Sequence, residues 1–223
     1  MSVRLPKVYP ILDVGALPDP GRARSEYLYG LGAALARTGL TLLEYRNKTG
    51  TDSEALADAR VLREALPANL VKLVMDDRVD VALAAGFDGV HVDAGDLPVR
   101  VARTLLDPGS LIGTSASSEA ELAAVLAQPI ESLADYFAFG PVFPTTTKQT
   151  SAPLIGIEGV RRFRAIAGPD AVLVAAAGIT LETASHVLDA GATSVAVSAA
   201  IFRRRDPAAE FARWIDTLQK HTG

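Results

Sequence analysis

Short apolar runs recur along the whole chain and alternate with amphipathic stretches. Eight such runs, each six to nine residues long, occupy residues 8–14, 40–46, 70–75, 89–94, 110–116, 136–143, 171–178 and 194–202. They are rich in Val, Leu and Ile, and most do not alternate with polar residues, which is typical of strands buried on both faces of a parallel sheet. The chain is therefore predicted to contain eight buried strands.

The intervals between the runs carry helix signals. Thr51 with Glu54, and Ser118 with Glu121, have the spacing of capping boxes, which begin helices. Eight alternating strand and helix units in 223 residues predict an α/β protein with a single (β/α)8 TIM barrel. Residues 1–223 are then expected to form one domain. A doubly wound open sheet is the alternative, because spacing along the chain does not give the strand order.

The composition limits the chemistry and the partners. Hydrophobic residues make up 49% of the chain, and 22 Lys and Arg against 26 Asp and Glu give a net charge of −4 without a basic block. This argues against nucleic acid or an anionic membrane as a partner and favours a small molecule. The absence of cysteine excludes disulfides and thiolate chemistry. No signal-type segment or run of about 20 apolar residues occurs, so a cytoplasmic protein is predicted.

Polar residues follow several of the predicted strands, at the end where a TIM barrel holds its active site. Cationic and hydroxyl groups that would meet at this mouth are Arg46, Lys48, Lys148, Ser115, Thr145 and Thr147. Guanidinium, ammonium and hydroxyl donors together suit the oxygens of a phosphate or pyrophosphate. The mouth is therefore predicted to bind an anion.

Two aspartates follow predicted strands 3 and 4. Asp77 and Asp96 would come close together, because neighbouring strands lie about 4.8 Å apart. Two carboxylates on adjacent loops suit a hard divalent cation, and Mg²⁺ with a pyrophosphate is the natural pairing. Gly178 and the small residues after strand 8 leave backbone N–H groups accessible, where such barrels often hold a phosphate. A second anion site is predicted there.

Other catalytic classes are not favoured. The segment 113–117 lacks the second glycine of a serine-hydrolase elbow, and the two glycines at 30 and 32 lie in a helical pattern rather than after a strand. His91 falls inside a predicted strand and His186 in a helical pattern, so both are interpreted as structural or surface residues. The chain is thus poor in candidate general bases.

Six segments resemble thiamine-phosphate synthases in order and spacing. They are YRNK (45–48), DDRVDVALAAGFDGVHVDAGDLP (76–98), IGTS (112–115), FGPVFPTTTK (139–148), AAGIT (176–180) and GATSVAVSAAIF (191–202). The most specific is FGPVFPTTTK, which resembles the family's loop Gly-Pro-hydrophobic-aromatic-Pro-Thr-x-Thr-Lys. The resemblance covers roughly residues 40 to 205, and the chain is identified as a divergent member of the thiamine phosphate synthase and thiazole tautomerase superfamily.

The resemblance implies a (β/α)8 barrel enzyme, a Mg²⁺-dependent transferase. It would join 4-amino-5-hydroxymethyl-2-methylpyrimidine diphosphate to 4-methyl-5-(2-hydroxyethyl)thiazole phosphate, giving thiamine phosphate and pyrophosphate. A homodimer is left open as the assembly. By position, the resemblance implies that the groups around the pyrimidine diphosphate are Glu44, Tyr45, Arg46, Asn47, Lys48, Asp76, Ser115 and Lys148. Those around the thiazole phosphate would be Thr145, Thr146, Thr147, Gly178, Ser198 and Ala199.

The resemblance also assigns roles within these sets. Asp77 and Asp96 would hold Mg²⁺. The catalytic groups would be Arg46, Lys48 and Lys148, which would stabilise charge on the departing pyrophosphate. No general base is required, because the thiazole nitrogen attacks with its own lone pair.

The chain departs from the family pattern at the mouth. Glu44 stands where the family has Gln, and Asp76 stands where it has Asn; Asp93-Ala94, Ala177 and Ala199 replace Gly-Gln, Gly and Ser. A carboxylate lacks the donors of an amide and repels a diphosphate unless it is protonated or bound to metal. Two alternatives therefore stay open: a diverged paralogue with an altered substrate, similar to a thiazole tautomerase, and a non-catalytic binder of thiamine phosphate.

Overall fold

Eight parallel strands close into a barrel in which each strand pairs with its neighbours in chain order. The structure, a computed structural model, describes residues 4–129, 133–145 and 152–220. The strands are β1 Val8–Asp13, β2 Leu42–Arg46, β3 Lys72–Asp76, β4 Gly89–Val92, β5 Leu111–Ala116, β6 Tyr136–Phe139, β7 Leu173–Ala176 and β8 Ser194–Val197. The predicted (β/α)8 barrel is confirmed, and the alternative of an open sheet is wrong because β1 pairs with β8.

Helices follow the strands and surround the barrel. They are α1 Arg22–Ala36, α2 Asp52–Ala65, α3 Val79–Ala85, α4 Val99–Leu105, α5 Glu119–Leu126, α6 Gly156–Ala167, α7 Leu181–Asp189, α8 Ala199–Phe202 and α9 Pro207–Gln219, with a 3-10 turn, η1, at Val14–Ala16. Thr51 begins α2 with the predicted capping box, and the Ser118 side chain accepts from the backbone of Glu121 at the start of α5. None of the described helices is long and apolar enough to cross a bilayer.

The last apolar run differs from its prediction. The strand ends at Val197, and the second half of the run, after Ser198, forms α8. Ile201 and Phe202 of this short helix are buried, so the hydrophobic pattern continues although the backbone changes conformation. Ala and Ile fit either state, which is why the run alone does not locate the boundary.

The apolar core has two layers. The larger layer lies between the sheet and the helices and includes Trp214 of α9, which is 1% exposed. The smaller layer includes the rings of Tyr9 and Tyr136 and smaller apolar side chains of the strands. A Cβ atom at Gly113 would lie 2.0 Å from Cζ of Tyr136, so the glycine in β5 makes room for the phenol ring of β6.

Candidate active site

Arg46, at the end of β2, lies between two carboxylates. The register of β1 and β2 places it opposite Asp13, and its Nη1 donates to Oδ2 of that residue. Its Nε lies 3.7 Å from Oδ2 of Asp76. The other oxygen of Asp13 accepts from the backbone N–H of Gly15 at 2.9 Å and caps η1. Asp13 is not among the residues predicted above, although it has the same signal as the others, a polar residue at the end of an apolar run.

Lys48 connects the acidic residues that end β3. Its Nζ lies 3.0 Å from Oδ2 of Asp76 and donates to Oδ2 of Asp77. Burial lowers the pKa of Lys48, but its hydrogen bonds to the two aspartates outweigh this, and the pKa is raised. Burial raises the pKa of Asp76, the charge of Lys48 lowers it, and the charge of Asp77 raises it, with a net upward shift. The carboxylate that replaces the family's amide therefore engages a cation predicted to bind substrate.

Asp77 and Asp96 follow the neighbouring strands β3 and β4, as predicted. Asp77 has φ of 64°, a left-handed conformation that is rare for a residue with a side chain. In the part of the chain that the structure describes, no donor reaches its buried Oδ1. Burial raises the pKa of Asp96, the backbone N–H of Asp93 lowers it, and contact with the carboxyl of Asp77 raises it, for a net increase. Two close carboxylates with an unpartnered oxygen are the donors that a hard divalent cation prefers.

Glu44 points into the barrel and is 4% exposed. Its Oε2 accepts from the hydroxyl of Tyr9 at 2.8 Å, and that hydroxyl lies 2.7 Å from the hydroxyl of Tyr136. Burial raises the pKa of Glu44, the nearby His91 lowers it, and the charge of Asp76 raises it. The resulting pKa is about 7. This second acidic substitution therefore holds its proton more tightly than an ordinary glutamate.

His91, in β4, contacts a predicted site residue. Its Nδ1 lies 3.1 Å from the hydroxyl of Tyr136, and its Nε2 lies 3.0 Å from Oγ of Ser115. Burial lowers the pKa of His91, but the carboxylates of Asp93 and Glu44 raise it, and the net shift is upward. Sequence reasoning interpreted this histidine as structural or surface; the structure buries it against the hydroxyl of Ser115.

A cavity of about 350 Å³ opens at the ends of β1, β2, β7 and β8. Its lining includes Asp13, Arg46, Thr145, Gly178, Ser198 and Ala199. A Cβ at Gly178 would come within 2.5 Å of the carbonyl oxygen of Phe143, so only glycine fits there. Ala177 also lines the cavity and has φ of 73°. The predicted residues of the thiazole phosphate group that the structure describes thus share one cavity with Arg46.

Two predicted substrate-binding residues make hydrogen bonds within the protein. The hydroxyl of Tyr45 donates to Oδ2 of Asp58 in α2 at 2.6 Å, on the helix side of the sheet. The amide of Asn47 donates to Tyr45 at 3.2 Å and accepts from the backbone N–H of Gly50 at 2.7 Å, which shapes the loop after β2. The predicted residues Thr146, Thr147 and Lys148 lie outside the described residues.

Comparison with known protein families identifies the family to which this barrel belongs. Residues 17–201 match the family model described as thiamine monophosphate synthase. The chain belongs to the thiamine monophosphate synthase family. The family predicted from six short segments is therefore confirmed over most of the chain.

Individual members of the thiamine monophosphate synthase family are similar along nearly the whole length. A thiamine-phosphate synthase of Koribacter versatilis is 40% identical over 199 residues, which cover 89% of this chain and 90% of the relative. One from Agrobacterium fabrum is 40% identical over 193 residues, covering 85% of this chain and 86% of the relative. Among solved structures, thiamine phosphate pyrophosphorylase from Pyrococcus furiosus has a TM-score of 0.79 at 29% identity and covers 97% of each chain.

Proposed function

We propose that the protein is a thiamine-phosphate synthase. It couples 4-amino-5-hydroxymethyl-2-methylpyrimidine diphosphate with 4-methyl-5-(2-hydroxyethyl)thiazole phosphate to give thiamine phosphate and pyrophosphate. The observation that carries this proposal is the position of Arg46, which lines the cavity with Gly178 and Ser198 and also approaches the cluster of Lys48 and Asp76. One guanidinium thus lies between the two predicted anion sites, where both phosphorylated substrates would meet.

The reaction requires charge stabilisation and alignment rather than proton abstraction. The pyrophosphate leaves with the bonding electrons, the aminopyrimidine stabilises the resulting methylene cation, and the lone pair of the thiazole nitrogen forms the new C–N bond. Arg46 and Lys48, together with Lys148 as the family resemblance implies, would stabilise the negative charge that grows on the leaving group. Holding the two substrates in line supplies the remaining acceleration.

Mg²⁺ is the proposed cofactor, held by Asp77 and Asp96. The buried, unpartnered Oδ1 of Asp77 and the raised pKa of Asp96 fit a pair of carboxylates that serves a cation. Within the described ranges no cluster of three or more metal-ligating side chains occurs. Mg²⁺ usually takes one or two protein carboxylates, with substrate oxygens and water as its other ligands. When bound, Mg²⁺ would neutralise charge on the diphosphate. The proposal places the enzyme, as a single domain, in the cytoplasm.

A direct assay tests the proposal. Purified protein is mixed with both substrates and Mg²⁺, and thiamine phosphate is followed by fluorescence after oxidation, with either substrate omitted as a control. Formation of product is expected. Tight binding of thiamine phosphate without turnover would instead support a non-catalytic binder and overturn the proposal.

Substitution of Lys148 tests the role of the cationic loop. Lys148→Ala is expected to reduce kcat at least about tenfold, because the proposal assigns this cation to the leaving pyrophosphate. Lys72→Ala is the matched control, since Lys72 begins β3 at the opposite end of the barrel and its side chain is 60% exposed. An unchanged rate for Lys148→Ala would remove this lysine from the proposed mechanism.

A further inference from the structure

A chain of hydrogen-bonded side chains crosses the barrel interior. It runs in the order Glu44, Tyr9, Tyr136, His91 and Ser115, with distances of 2.8, 2.7, 3.1 and 3.0 Å between successive polar atoms. The first four side chains are buried, and they come from four different strands. The proposed reaction assigns no step to Tyr9, Tyr136 or His91, so their arrangement requires another explanation.

The donor and the acceptor in each of these hydrogen bonds follow from the number of protons available. Each tyrosine hydroxyl has one proton to donate. With Glu44 ionised, Tyr9 donates its proton to the carboxylate, so the Tyr9 oxygen accepts from Tyr136. Tyr136 has then used its own proton and accepts from the third member, His91. While Glu44 is ionised, the proton in that contact is therefore on Nδ1 of the imidazole.

This direction fixes the orientation of the histidine ring. With Nδ1–H bound to Tyr136, Nε2 faces Oγ of Ser115, and Oδ1 of Asp93 lies 3.5 Å from the same nitrogen. A flip of the ring would break both contacts, and the Nδ1 proton is directed to Tyr136 whether the ring is neutral or charged. The bond made by one imidazole nitrogen thus sets the role of the other. β5, which carries Ser115, is also shaped around the phenol, since Gly113 leaves the space that Tyr136 fills.

We propose that Tyr9, Tyr136 and His91 are positioning residues that connect Glu44 to Ser115 and hold the serine hydroxyl in one orientation at the mouth. The inference rests on the proposed synthase reaction, in which Ser115 faces the pyrimidine diphosphate. A residue that orients a reacting group without itself contacting substrate affects kcat more than KM, because alignment matters most in the transition state. Loss of this series of hydrogen bonds is therefore expected to slow turnover while substrate binding is retained.

A double-mutant cycle separates this role from a merely structural one. Tyr136→Phe removes one oxygen and keeps the ring, and it is expected to lower kcat about tenfold with KM changed by less than about twofold. In a Ser115→Ala background the same substitution should have no further effect, because it acts through the serine. An equal loss of kcat in both backgrounds would overturn the inference. Tyr29→Phe, at a residue that is 49% exposed, makes the same chemical change as a control and should leave kcat unchanged.

Nitrogen NMR of the histidine side chains provides a readout that does not depend on activity. The His91 signals are assigned by comparison with a variant that lacks this histidine. Above about pH 7, where Glu44 is ionised, the proton of the neutral ring is expected on Nδ1, and Tyr136→Phe should redistribute it between the two nitrogens. A wild-type ring protonated on Nε2 would overturn the positioning chain alone, even in an active enzyme. Absence of thiamine phosphate with both substrates would instead overturn the proposed function, and the role of Ser115 with it.

A second substitution tests the inference in case the Tyr136→Phe protein does not fold. Tyr9→Phe breaks the chain at another link and should reproduce both the loss of kcat and its disappearance in the Ser115→Ala background. If Tyr136→Phe does not fold, this variant decides the question: a kcat equal to that of the wild type would overturn the inference.

Discussion

Arg46 donates to the carboxylate of Asp13 across the paired ends of β2 and β1. The two side chains are 19% and 15% exposed, so the pair is largely shielded from water and salt. The same carboxylate caps η1 through the backbone N–H of Gly15. The direction of a guanidinium that lines the cavity is therefore set by the last residue of the first strand.

Asp13→Asn is expected to lower kcat/KM about tenfold. The amide retains an oxygen for Gly15 but loses the charge that orients Arg46, and a hydrogen bond to a charged group contributes about 1.5–3 kcal/mol. Steady-state kinetics measure the effect, with the melting temperature as a check on folding. Asp107→Asn, an exposed site on the loop after α4, is the control. Wild-type kinetics in the Asp13 variant would show that Arg46 does not need this partner.

Restoring the family's two amides should improve binding of the pyrimidine diphosphate. Asp76 attracts both Lys48, at 3.0 Å, and Arg46, at 3.7 Å, and it would repel a diphosphate placed beside them. Asp76→Asn with Glu44→Gln makes these cations available and removes the repulsion, while the glutamine oxygen still accepts from Tyr9. A lower KM for the diphosphate is expected in initial-rate assays. A KM that is unchanged or higher would contradict the repulsion argument.

Glu44 should make the protein less stable as the pH rises. Its pKa is raised from 4.5 to about 7, so between these values the folded chain retains a proton that the unfolded chain has released. The free energy of unfolding then falls with increasing pH across this window. Glu44→Gln removes this contribution but leaves those of Asp76 and Asp96, whose pKa values are also raised.

Thermal unfolding at a series of pH values checks this expectation. The melting temperature of the wild type should fall more steeply than that of Glu44→Gln between about pH 5 and pH 7. Parallel curves would mean that Glu44 titrates normally in the folded protein.

Removal of metal should abolish turnover. A chelator is expected to stop formation of thiamine phosphate, and added Mg²⁺ should restore it. Asp96→Asn should raise the Mg²⁺ concentration needed for half-maximal rate about tenfold or more, because one of two proposed carboxylate ligands becomes neutral. The control is Asp216→Asn, at an exposed position of α9. An unaltered Mg²⁺ requirement in the Asp96 variant would remove that residue from the metal site.

The barrel was predictable because its strands are buried on both faces and so appear as continuous apolar runs. Since parallel strands end at the same side, the charged residues after them could be assigned to one mouth. Arg46, Lys48 and Asp76 indeed lie together, as do Asp77 and Asp96. The apolar runs do not alternate with polar residues. This identifies them as buried strands, but it does not show which of their side chains point into the barrel. Glu44 and Tyr45 are neighbours in β2, yet one faces the barrel interior and the other faces α2.

The hydrogen-bonded side chains inside the barrel could not be predicted from the sequence, for a different reason. Tyr9 and Tyr136 are 127 positions apart, and their contact exists only once the barrel has closed. Each is an aromatic residue within an apolar run, and His91 is a single polar residue in another, so none carries a local signal. Asp13, by contrast, had the same signal as the recognised residues and could have been included with them.

Gly113 and Tyr136 have a consequence for how this family can vary. Because a Cβ at position 113 would overlap the phenol ring, a side chain at that position requires Tyr136 to move or to be replaced by a smaller residue. We therefore expect the tyrosine to be lost before the glycine changes. Family members that have the tyrosine should also have the glycine, whereas members that have the glycine need not have the tyrosine.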